Sequence, residues 1–167
     1  AMNPCRCGYF GHPTRECTCK PADVNKYISK ISGPMLDRID IQIELPSLSY
    51  AEISSSEGEG ERSEVIRERV SAAREFANQR MIKAGQKAKP NSNLDAAQIR
   101  KFCKLDDSAK LILQTAYDNL GLSARGYDRV LRVARTFADL DKSEIIRAKH
   151  IAEAIQYRSL DRKFWKA

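Results

Sequence analysis

Four of the five cysteines crowd into the first nineteen residues, as Cys5-x-Cys7 and Cys17-x-Cys19. Thiolates are soft donors, and two such pairs can bring four of them onto one tetrahedral Zn2+, with the intervening residues supplying the turn. The C-x-C spacing is tighter than the C-x-x-C of common zinc knuckles, and His12 is a spare donor. The competing arrangements are four reduced thiols in a loop or two disulfides, and a reducing compartment favours metal over the latter. Cys103 stands apart beside Phe102, on the apolar side of a short helix, and reads as a buried structural thiol rather than a nucleophile.

Arginines are the other group with chemical potential. Arg125, Arg129, Arg132 and Arg135 follow at steps of four, three and three, a single stripe of a helix whose other side carries Val130, Val133, Ala134 and Phe137. Such a stripe is a solvated polar face, or the reading face of a helix-turn-helix, since guanidinium groups suit phosphate and guanine. Arg38 sits in a separate block, Ser32-Gly33-Pro34-Met35-Leu36-Asp37-Arg38-Ile39-Asp40. The two histidines, His12 and His150, form no Ser/His/Asp or Cys/His constellation, and His150 is expected at the surface or half-buried in the last helix.

The elements that must hold these residues follow from periodicity. Val24, Tyr27, Ile28 and Ile31 predict a short helix over 22–32, broken by Gly33-Pro34. Residues 39–45 alternate apolar and polar, which predicts one half-buried strand ended by Pro46. No second strand is evident, so this one is expected to pair between molecules or with a sheet outside the chain. Residues 46–62, with the acidic run 54–61, read as a linker.

Beyond it everything reads as helix. Val65, Ile66, Val70, Ala73, Phe76, Ala77 and Met81 mark the buried side of a long helix over 63–83. Asp95 caps a helix over 96–103, Asp106 or Asp107 caps one that reaches Asn119 before Gly121, and Ser123 caps one that ends at Asp139 or Leu140. A last helix covers about 147–158, ahead of a tail over 159–167. The fold class is mainly α, ending in an all-helical domain of about five helices over 63–167.

Composition narrows the partners. The 167 residues carry 29 Lys and Arg against 22 Asp and Glu, a net charge of +7 that suits nucleic acid or nucleotide phosphate. No apolar run approaches the ~20 residues that span a bilayer, and no signal peptide precedes the first polar residues, so a cytoplasmic address is expected.

Five blocks appear in order: Asn3-Pro4-Cys5-x-Cys7-Gly8; Ser32-Gly33-Pro34-x-Leu36-Asp37-Arg38-Ile39-Asp40; Ile66-Arg67-x-Arg69-Val70-x-x-Ala73-Arg74; Ser123-Ala124-Arg125-x-Tyr127-Asp128-Arg129; and the run from Ile151 to Asp161. Together they closely resemble the C-terminal part of the magnesium-chelatase-like AAA+ ATPases of the ComM/YifB type. The resemblance covers essentially the whole chain.

By that resemblance, residues 1–45 are the end of an AAA+ α/β core and 63–167 its helical lid. Asn3 matches the sensor 1 asparagine that orients the attacking water. Arg38 matches the arginine finger that reaches a neighbouring subunit's nucleotide. Arg125 matches the sensor 2 arginine of the lid, with Arg129 on the same nucleotide-facing stripe. The cysteine loop resembles a subgroup insertion. ATP with Mg2+, a hexameric ring, and DNA as partner of a branch-migration helicase in natural transformation are what the resemblance implies.

The departure from that family is the absence of G-x-x-x-x-G-K-[ST] and of an acidic Walker B strand. The chain therefore reads as a fragment beginning at sensor 1, without ATP hydrolysis of its own. A zinc-containing DNA-binding module and a structural oligomerisation domain are the alternatives.

Overall fold

Capping residues set the helix ends. In the computed structural model, which describes residues 1–54 and 60–158, Asp95 accepts from the Gln98 N–H and opens a capping box ahead of a helix over Ala96–Phe102. Asp106 accepts from the Ala109 N–H ahead of Asp107–Leu120, and Ser123 from the Gly126 N–H ahead of Ala124–Leu140. Gly121 ends the first of these at φ +59°, a left-handed conformation that glycine adopts without a Cβ penalty.

In chain order the helices are α1 (Pro21–Ile28), α2 (Gly33–Leu36), α3 (Tyr50–Ser54), α4 (Ser63–Lys83), α5 (Ala96–Phe102), α6 (Asp107–Leu120), α7 (Ala124–Leu140) and α8 (Ala148–Gln156), with a 3-10 turn at Asn91–Asn93. The fold is mainly α, as expected. Residues 55–59 of the expected linker and the tail over 159–167, with the end of the fifth block, lie outside the described residues.

Two compact units divide the chain: Ala1–Ser54 with Arg158 onward, and Ser55–Tyr157. In the second, α4 to α8 enclose one core that includes Met81, Leu94, Ile99, Leu113, Val130, Ile146 and Ile151. A lone parallel bridge, Leu105 to Ile146, ties the α5–α6 connection to the segment before α8. The long helix buries only Ala73, Ala77 and Met81, whereas Val65, Ile66 and Val70 are exposed. The predicted buried stripe thus holds for the C-terminal half of α4 and fails for its first turns, where the described residues supply nothing to cover it.

The arginine stripe of α7 is corrected more sharply. Arg135 has no solvent exposure at all, and its guanidinium donates to Asp139, to the carbonyls of Phe102 and Glu144, and to that of Ser143. Arg132 donates to Leu94 O at 2.8 Å. Those two positions are structural donors, because the connections and helix ends they face leave carbonyls that need partners.

The first unit has a small core. Cys5, Val24 and Ile28 are buried, with Cys7, Cys17, Cys19 and Tyr27 packed against them. Residues 39–45 form no strand among the described residues. Their alternation survives, but Ile41, Ile43 and Leu45 are exposed, because a ladder requires a neighbouring strand that the described chain does not offer.

Candidate functional site

The first unit builds its core around sulfur. Gly8 donates its N–H to Cys5 O at 3.1 Å and takes φ +84°, closing a turn that puts Cys5 and Cys7 on one side. Cys17 and Cys19 return to the same place just before α1, whose first residue is Pro21. The four sulfurs all lie within 4.8 Å of one another. Cys5 to Cys7 is 3.3 Å, Cys7 to Cys17 is 3.5 Å and Cys5 to Cys17 is 3.7 Å, with every cysteine free of disulfide. A tetrahedral site with Zn–S of about 2.3 Å has S···S edges of about 3.8 Å. The sulfurs therefore fit a four-coordinate thiophilic metal.

Their proton affinities are uneven. The Tyr9 backbone N–H, with help from the Cys5 thiol, draws the Cys7 thiol down to about 5. At Cys17 the Cys19 N–H also pulls down, yet burial and the sulfurs of Cys7 and Cys5 together push it up to about 12. Four negative sulfurs cannot share so small a space without a cation. His12 is not a fifth member. Its Nδ1 accepts from the amides of Thr14 and Arg15, at 3.1 and 3.0 Å, and so braces the loop.

Asn3 is exposed, with its amide against the backbone of Gly8, where an added Cβ would lie 3.6 Å from Nδ2. Arg38 is exposed in the turn that follows α2, its N–H bonded to Met35 O at 3.0 Å while Leu36 anchors that turn in the interior. The residues on either side are gripped by Arg158, whose guanidinium donates to Asp37 Oδ1 at 3.2 Å and to Ile39 O at 3.1 Å.

Arg125 and Arg129 belong to the other unit. Arg125 is exposed in the first turn of α7, next to the Ser123 cap, and Arg129 is half-buried one turn on. Among the described residues neither the Arg38 nor the Arg125 side chain makes a hydrogen bond or ion pair, whereas those of Arg80, Arg132, Arg135 and Arg158 all do.

Sequence reasoning missed three things here. The Arg135–Asp139 pair was signalled by opposite charges four residues apart, but nothing local says they are buried. His150 is 1% exposed, not superficial; its Nδ1 accepts from the Arg147 N–H and its Nε2 lies 2.9 Å from Asp141 Oδ2. A cleft of about 440 Å3 in the helical unit gathers Lys83, Lys101 and Lys104 with Arg80 and Glu144 beside Phe76. Cys103 behaves as expected: it is buried, and burial pushes its thiol up to about 11.

Residues 60–158 match the family described as magnesium chelatase, subunit ChlI C-terminal, and residues 1–53 match magnesium chelatase, subunit ChlI. The uncharacterized protein YifB of Escherichia coli is 40% identical over 162 residues, 97% of this chain and 30% of its own length. Competence protein ComM of Haemophilus influenzae is 37% identical over 166 residues, 99% of this chain and 31% of its own. An uncharacterized protein of Mycobacterium tuberculosis is 35% identical over 158 residues, 95% of this chain and 30% of its own. The chain thus spans about three tenths of the length of the curated relatives it matches.

Proposed function

Because this chain belongs to the magnesium chelatase subunit ChlI family, within its ComM/YifB-like AAA+ branch, we propose that it is the sensor, arginine-finger and lid portion of a ring-forming ATP-hydrolysing motor. The observation that carries this is the contrast among arginines. Arg38 and Arg125 stand exposed and unpaired on structured turns, while four others are spent on carbonyls and carboxylates.

Phosphoryl transfer gathers charge on the γ-phosphate oxygens, and a positioned guanidinium stabilises it through paired charge-assisted hydrogen bonds. Arg125 supplies one such group from the lid, where the N-terminus of α7 adds a favourable dipole, and Arg129 continues the stripe. Arg38 supplies another to the neighbouring subunit's nucleotide, and Asn3 orients the attacking water. The phosphate cradle and Mg2+ ligands come from other residues of the protein, since no Walker A motif is present here. In this arrangement residues 39–45 complete a sheet, which accounts for their alternation and present exposure.

Zn2+ held by Cys5, Cys7, Cys17 and Cys19 is structural in this reading. A core of Cys5, Val24 and Ile28 is of the size that small domains reinforce with a metal. Four thiolates leave no open coordination position for substrate.

DNA is the proposed track of the motor, and the cluster of Lys83, Lys101 and Lys104 is the cationic surface that suits its phosphates. The alternative of a DNA-reading helix in α7 is weakened, because Arg132 and Arg135 are occupied within the fold. A hexameric ring in the cytoplasm is the setting proposed for this activity; no helix among the described residues is long and apolar enough to cross a membrane.

Steady-state hydrolysis and nucleotide binding by the full-length protein test this. Arg38→Ala is expected to lower turnover by about 10³-fold or more while leaving nucleotide affinity near the parental value. Arg125→Ala is expected to impair both. Parental turnover in the two variants sinks the assignment.

A further inference from the structure

The fifth block of the sequence reaches a guanidinium that the nucleotide chemistry leaves unused. Arg158 is 3% exposed, in contrast to exposed Arg38. Its Nη1 donates to Ile39 O at 3.1 Å and its Nη2 to Asp37 Oδ1 at 3.2 Å. These are the residues immediately before and after Arg38. A planar fork whose two arms end on either side of one residue fixes the backbone on both sides of it, which a single ammonium cannot do.

The regular structure around that residue is short. The helix α2 is four residues long, and the segment after Ile39 has no ladder among the described residues. The backbone N–H groups of the three residues make turn hydrogen bonds, from Asp37 to Gly33 O, Arg38 to Met35 O and Ile39 to Leu36 O. Taking a guanidinium out of water is expensive, and here that cost is met on a carboxylate and a carbonyl that bracket the exposed arginine.

We propose that Arg158 is a positioning residue for the Arg38 finger: by bridging Asp37 and Ile39 it sets the backbone from which Arg38 reaches the neighbouring subunit's γ-phosphate. This rests on the assignment of Arg38 as the finger. Reacting groups must be held closely, and a displacement of about 1 Å costs about 10²-fold in rate.

The test pairs ATP turnover with amide hydrogen exchange in the full-length protein. Arg158→Met is expected to lower kcat by about 10²-fold with the KM for ATP within about twofold of parental. Arg158→Lys, which keeps one of the two contacts, is expected to fall between. Faster exchange is expected in the peptide spanning 36–40 and not in α1 or around Cys5. If Arg158→Met does not fold, Arg158→Lys and Asp37→Asn carry the same two measurements.

Parental kcat in the Arg158 variants, with Arg38→Ala inactive, overturns the role of Arg158 and leaves the finger assignment standing. Loss of kcat with faster exchange throughout residues 1–54 also overturns it, because Arg158 then acts on the unit as a whole. Parental turnover in Arg38→Ala overturns the finger assignment instead, and the positioning role falls with it.

Discussion

Arg135 Nε donates to Asp139 Oδ1 at 3.1 Å, one turn apart on α7, and neither residue is more than 1% exposed. Asp139 also receives Arg80 and Asn91, at 3.1 and 2.7 Å, so two guanidinium groups share a single carboxylate inside the helical unit.

Removing that carboxylate leaves two cations without their counter-charge. Asp139→Ala is therefore expected to destabilise the protein by about 3–5 kcal/mol, read as the shift in a denaturant midpoint. Replacing both partners, as Arg135→Met with Asp139→Leu, is expected to cost less than the two single changes added together. Additive losses would show that the pair is not coupled.

The sulfur cluster makes a stoichiometric prediction. Protein purified without chelators is expected to carry about one zinc per chain, and Cys17→Ser to lose it. Chelation is expected to destabilise the unit built on Cys5, Val24 and Ile28 while sparing the helical unit. Metal analysis that finds zinc in fewer than about half the chains contradicts the four-thiolate site.

Acid stability tests the contact at the start of α8. Lys149 first, then His150, hydrogen-bond to Asp141 and hold its carboxyl below its ordinary value. A carboxyl lowered in the folded state contributes stability that is whole above the unfolded value, about 4, and lost as pH falls through the folded one. Asp141→Asn is expected to lower Tm at about pH 7, and that deficit is expected to shrink as pH falls below about 4 and the carboxyl takes up its proton. A Tm deficit that does not change with pH would mean that Asp141 acts through packing, not charge.

The helical part of this fold was largely legible because its punctuation is local. Asp95, Asp106 and Ser123 cap the helices the pattern placed there, and α4 runs over the residues the pattern gave it. The cysteine cluster was legible too, since two C-x-C pairs constrain where sulfur can go.

What escaped was long-range. Nothing near Arg135 says that the carbonyls of Ser143 and Glu144 will converge on it, and the stripe spacing of a solvated face is the same as that of a buried donor row. Residues 39–45 show the opposite limit: a strand pattern states a preference, and only a neighbouring strand turns it into structure. His150 was misplaced for the same reason, because its burial depends on Asp141 and on the turn before α8.

The central claim is that Arg38 acts on a neighbour's nucleotide and Arg125 on its own, and subunit mixing tests it most directly. Full-length Arg38→Ala and Arg125→Ala proteins are each expected to be nearly inactive alone. When they are co-assembled in equal amounts, an Arg38→Ala subunit that keeps Arg125 can receive Arg38 from an Arg125→Ala neighbour. Recovery of about a quarter of parental ATP turnover is expected, the share of interfaces that are complete in a random ring. No recovery, in rings shown to contain both variants, would contradict the division of roles between the two arginines.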